Sequence, residues 1–89
     1  MSSELDTLDN LVVQDLPLNL VRQYNYADDD AFLRGVYGLL RAGDVELRTA
    51  NDEAVPAWQW RELFDNRQVL SQLAAFRLSA TEQGLSRVV

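Results

Sequence analysis

The chain has 89 residues, 47% of them hydrophobic, and a formal net charge of −6, which fits a thin-cored globular fold and argues against general disorder. It contains no cysteine and no histidine, and all eight basic residues are arginine. Disulfides, thiolate or imidazole metal sites, Ser-His nucleophiles, lysine Schiff bases and the lysine of a phosphate-binding loop are therefore excluded.

Residues 1–4 are expected to fray, leaving 5–89 as one small globular domain. No apolar run is long enough to span a membrane, and the first residues lack the basic and apolar regions of a signal peptide, so a cytoplasmic location is expected. Leu5, Leu8, Leu11 and Val12 recur at three- and four-residue steps and suit a short amphipathic helix, although Val12-Val13 could also be extended. Asp15 can cap a second helix with Pro17 in its first turn and Leu18, Val21 and Tyr24 as its inner stripe. The strongest helical signal runs from Asp29 to Ala42. Three aspartates stand at its start, where the helix dipole favours anions, and Phe32, Val36, Leu39 and Leu40 form a wide apolar face with Leu33 and Tyr37 beside it. Gly43 reads as its stop. Gly35 and Gly38 each cost about 1 kcal/mol inside a helix, and close approach of another backbone would offset that.

Val45 to Thr49 alternates as a half-buried strand does, and Asn51-Asp52-Glu53 is turn-like. Val55 to Trp60 admits two readings. As a returning edge strand it closes a small hairpin over about residues 44–60 and places Trp58 and Trp60 on one face. As a helix entered at Pro56 it throws them to opposite sides. The strand, followed by a helical turn near Arg61–Phe64, is the favoured reading. Asp65 or Asn66 can cap a helix over about 67–78 with Val69, Leu70, Leu73 and Phe76 inward, and Ser79 to Glu82 matches a capping box before a last helix with Leu85 and Val88 inward. The expected fold is mainly α with one small β-hairpin, an α+β domain of four to five short helices. The leading specific topology is winged-helix-like, a helix followed by a two-stranded wing, which is the layout of winged-helix DNA binders.

The charge is uneven: residues 1–30 hold seven acids against Arg22 alone, whereas residues 31–89 hold seven acids and seven arginines. Asp28-Asp29-Asp30 reads as a helix N-terminal cluster, because neighbouring carboxylates on a helix diverge and the loop lacks the glycine and distal glutamate of a calcium-binding loop. Arg34 and Arg41 lie seven residues apart on one helical face, with Arg48 beyond them, but the aspartates and the net charge oppose binding to phosphates. Tyr24, Tyr26, Trp58 and Trp60 are residue types that fill cores and also anchor interfaces, and they form the candidate partner surface. No cofactor, metal or catalytic residue is expected, nor a small-molecule substrate, nucleic acid or membrane. The expected function is a non-enzymatic adaptor or regulator that binds a protein partner or a second copy of itself. A winged-helix DNA-associated regulator and an acidic mimic of nucleic acid are the alternatives.

Overall fold

The computed structural model describes residues 3–88, and the side chains among them apart from residues 3–6, 13 and 88. In chain order the elements are α1 (Ser3–Val13), β1 (Leu16–Pro17), α2 (Leu18–Asn25), α3 (Asp29–Ala42), β2 (Val45–Thr49) and α4 (Ala57–Asp65). Two 3-10 turns (Gln68–Ser71 and Leu73–Ala75), β3 (Phe76–Ala80) and α5 (Glu82–Val88) complete the chain. The fold is the expected mainly helical α+β arrangement, with a small antiparallel sheet ordered β1-β3-β2. No helix among the described residues is long and apolar enough to cross a membrane.

The central helix α3 forms where its sequence dictates. The Asp28 side chain accepts the Ala31 amide at 2.8 Å, and Gly43 closes the helix in the left-handed conformation at φ 83°. Phe32, Leu33, Val36, Leu39 and Leu40 are buried and meet Leu8 and Leu11 of α1, Leu18 and Val21 of α2, and Leu47 and Leu78 of the sheet. The helix dipole and the apolar stripe thus agree with the cap signals at both ends, which is why this element was legible. Val12 of α1 and Tyr24 of α2 point outward, contrary to expectation. The expectations for Leu5 and Val88 lie outside the described side chains, and residues 1 and 2 lie outside the described chain.

Other expectations need correction. Asp15 does not cap α2: it accepts a hydrogen bond from Ser79 Oγ at 2.9 Å, while Leu16-Pro17 pairs with β3 as a short edge strand, where a missing proline N–H costs nothing. The hairpin expected over 44–60 shrinks to one bridge, Arg48 to Ala54, supported by the Val55 amide on the Leu47 carbonyl at 2.8 Å. Pro56 then opens α4, so the helical reading of this segment holds. The full partner of β2 is β3, with Val45 opposite Ala80, Leu47 opposite Leu78 and Thr49 opposite Phe76.

The helix expected over 67–78 is likewise replaced by the 3-10 turns and β3. Its apolar spacing fits a helix, but Phe76 to Ala80 also alternates, and pairing on both edges of β3 outweighs the local preference. The last helix is capped by Thr81, not Ser79: Thr81 Oγ1 accepts the Gly84 amide at 3.1 Å.

Candidate functional site

The four aromatics expected to form a partner surface are not brought together. Tyr26 is 7% exposed and belongs to the core. Its ring meets Phe32 edge to face at 5.9 Å and lies over Gly35, and its hydroxyl accepts from Thr7 Oγ1 at 3.1 Å. Trp60 is half-buried, and its indole N–H donates to the Val55 carbonyl at 3.1 Å. Tyr24 is 62% exposed on α2, and Trp58 is 71% exposed on α4. The two tryptophans diverge because residues two apart on a helix point about 200° apart.

Trp58 opens onto a cleft of about 730 Å³ between α3 and α4. Phe64 of α4 fixes the two helices side by side, stacking on Tyr37 at 5.8 Å and packing against Phe32 at 6.5 Å. From α3 the cleft receives Arg34, Tyr37 and Arg41, which share one helical stripe; from α4 it receives Trp58, Arg61 and Asp65, which share another. Gly38 also lines it, and a side chain built there would meet no atom within 4 Å. The expected close packing at Gly38 is therefore absent. Gly35 does meet a close neighbour, but it is the Tyr26 ring and not another backbone.

The electrostatics of this cleft oppose those of the whole chain. Three arginines face one carboxylate, a net of +2 on a protein of −6. Arg61 lies 3.6 Å from Asp65, whereas Arg34 and Arg41 form no ion pair among the described residues. Arg41 sits over the Tyr37 ring at 5.7 Å, an arrangement that orders the cation without neutralising it. Arg48 does not join them, being held by Glu46 at 3.0 Å and by the Asp52 carbonyl at 3.0 Å.

Each carboxylate of the Asp28–Asp30 cluster has a structural task. Asp28 caps α3, Asp29 pairs with Arg22 at 2.9 Å, and Asp30 pairs with Arg67 at 2.6 Å. The Arg67 hydrogen bond and positive charge hold the Asp30 carboxyl below its ordinary range. Among the described residues no group of acids is placed to hold a metal ion.

One buried acid escaped the sequence reading. Asp44 is fully buried just after α3, and it accepts hydrogen bonds from Arg87 and, at 3.2 Å, from Gln83 Nε2. Both partners come from α5, so the carboxylate fastens the last helix to the end of α3. Gly84 permits this, because a side chain there would approach the Asp44 carbonyl oxygen to 2.0 Å. Its neighbours in sequence are unremarkable, and only the three-dimensional return of α5 reveals its burial.

Comparison with protein-family models, curated proteins and solved structures gives no match to this chain.

Proposed function

We propose that this protein is a non-enzymatic interaction domain and that the α3–α4 face is where it docks a protein partner. The observation that carries this reading is Trp58, a large amphipathic ring 71% exposed beside two arginines that form no ion pair among the described residues. Tryptophan and arginine are the residue types most enriched among those that dominate binding energy at protein interfaces. Covering the ring against a partner buries apolar area, and carboxylates of the partner can replace the water that solvates the guanidinium groups with charge-assisted hydrogen bonds.

The same face argues against the alternative of a DNA-associated regulator. A recognition helix must enter a major groove about 12 Å wide, and two helices packed side by side are about 20 Å across. Arg34 and Arg41 lie between those two helices. The reading as an acidic mimic of nucleic acid is weakened where Asp29 and Asp30 pair with Arg22 and Arg67, which reduces the negative charge that stretch presents.

The test is site-specific photo-crosslinking in extract of the native host. A photoreactive phenylalanine at position 58 should give a discrete protein adduct, and the same residue at position 24 should give much less. The adduct should disappear in Gly38→Leu, which fills the cleft. Adducts at position 24 alone, or adducts at 58 indifferent to Gly38→Leu, would refute the assignment.

A further inference from the structure

Resting on the interaction reading above, we infer that the α3–α4 cleft receives an acidic amphipathic helix of a partner protein, its carboxylates held by Arg34, Arg41 and Arg61 and an apolar side chain set against Trp58. Charge complementarity selects the occupant. The cleft is a local positive region, net +2, on a chain of −6, so it attracts carboxylates at short range while the rest of the surface repels an extended polyanion. A nucleic acid carries a charge at every phosphate and would meet that repulsion along its whole length. A short peptide with two or three carboxylates meets little of it.

The spacing selects the geometry. Arg34 and Arg41 are seven residues apart on α3, which places their backbones about 10 Å apart along the helix axis. Carboxylates seven residues apart on a partner helix have the same separation, so two turns laid along α3 can engage both arginines. Both guanidiniums can form paired hydrogen bonds with a carboxylate; among the described residues neither has an ion pair, and the nearby Asp30, which attracts Arg34, is already held by Arg67.

Gly38 is the second, independent support. It lies between the two arginines on α3, in a helix interior where glycine costs about 1 kcal/mol relative to alanine. It touches nothing: the space beside it is open to 4 Å. Its counterpart Gly35 is explained by the Tyr26 ring, but no neighbour among the described residues explains Gly38. An empty position in the wall of a cleft lets a partner backbone come close to α3.

The experiment uses the full chain and a fluorescent helical peptide of about 16 residues, with glutamates seven residues apart and leucines between them, a length that spans the cleft with several turns to spare. A glutamine version and a lysine version serve as probes of charge. The glutamate peptide should bind, and binding should weaken as salt rises. Trp58→Ala and the double variant Arg34→Glu with Arg41→Glu should each weaken it by about tenfold or more. The lysine peptide should bind the double variant better than the native chain. Gly38→Leu should abolish binding without lowering the melting temperature, which separates a blocked cleft from a damaged fold.

Equal affinity for the glutamine peptide, still lost in Trp58→Ala, would overturn the acidic partner and leave the interaction face standing. Absence of glutamate-peptide binding, with crosslinking at position 58 intact, would do the same. Displacement of the peptide by a single-stranded oligonucleotide would assign the cleft instead to nucleic acid, and peptide affinity that falls as the chain sediments as a dimer at rising concentration would assign it to a second copy. Peptide binding unaffected by both Trp58→Ala and Gly38→Leu would overturn the inference together with the reading it rests on.

Discussion

Gly35 and Gly38 stand three residues apart in one helix, and the same substitution should move stability in opposite directions. An alanine methyl at position 35 would lie 2.4 Å from Tyr26 Cε1 and 2.6 Å from its hydroxyl oxygen. Ordinary contact begins at 3.4 Å, so the ring must retreat by about 1 Å. Tyr26 is buried, packed on Phe32 and hydrogen-bonded to Thr7, which leaves it little room to move. Overpacking of this kind costs about 1–3 kcal/mol, and disturbing a buried hydroxyl pair adds about 1 kcal/mol. The gain in helix propensity returns only about 1 kcal/mol. Gly35→Ala should therefore destabilise by about 1–3 kcal/mol and lower the melting temperature by roughly 5–20 °C. At position 38 the methyl meets nothing, and the propensity gain stands alone. Gly38→Ala should raise the melting temperature by about 4–8 °C. Thermal unfolding followed by circular dichroism measures both. A Gly35→Ala protein as stable as its parent would show that Tyr26 does not rest on this helix, and a destabilised Gly38→Ala would show that the cleft is filled.

Phe32 is fully buried at the centre of the core, so Phe32→Ala should cost about 3–5 kcal/mol in denaturant unfolding; a loss under 1 kcal/mol would misplace the core. Arg87→Met strips the buried Asp44 carboxylate of its cation. Because the Arg87 side chain is about half exposed, the loss should stay near 1–3 kcal/mol, and unchanged hydrogen-exchange protection of α5 would contradict the fastening role. The Asp30 carboxyl, held low by Arg67, has a lower pKa folded than unfolded. Its contribution to stability is present above the ordinary carboxylate pKa and is lost as pH falls through the folded value. A carbon NMR titration should place Asp30 below an ordinary aspartate, and Arg67→Ala should raise it; no movement would break the pairing. Millimolar Ca²⁺ should give no saturable heat by calorimetry, since Asp28, Asp29 and Asp30 are each already engaged, and a stoichiometric isotherm lost in Asp29→Asn would overturn that account.

The parts of this fold that were legible in sequence are those where local signals agree. In α3 the Asp28 cap, the apolar stripe from Phe32 to Leu40 and the Gly43 stop all specify one helix. The strand β2 was legible from its alternation. Its partner was not, because Phe76 to Ala80 follows an apolar run whose spacing also suits a helix, and only pairing with β1 and β2 decides between them. At Val55 to Trp60 a proline compatible with both readings concealed whether the tryptophans share a face. Arg34 and Arg41 could be placed on one face by counting. That Trp58 and Arg61 stand opposite them depends on the packing of Phe64 against Tyr37, a contact between elements that no local pattern encodes.

The central claim, that Trp58 is an uncovered anchor while Trp60 is part of the fold, is tested most directly by acrylamide quenching of two single-tryptophan variants, Trp60→Phe and Trp58→Phe. The variant retaining Trp58 should emit at long wavelength and quench readily, and the variant retaining Trp60 should resist quenching. Shielding of Trp58 comparable to that of Trp60, in a protein that sediments as a monomer, would place both rings in the core and contradict the account.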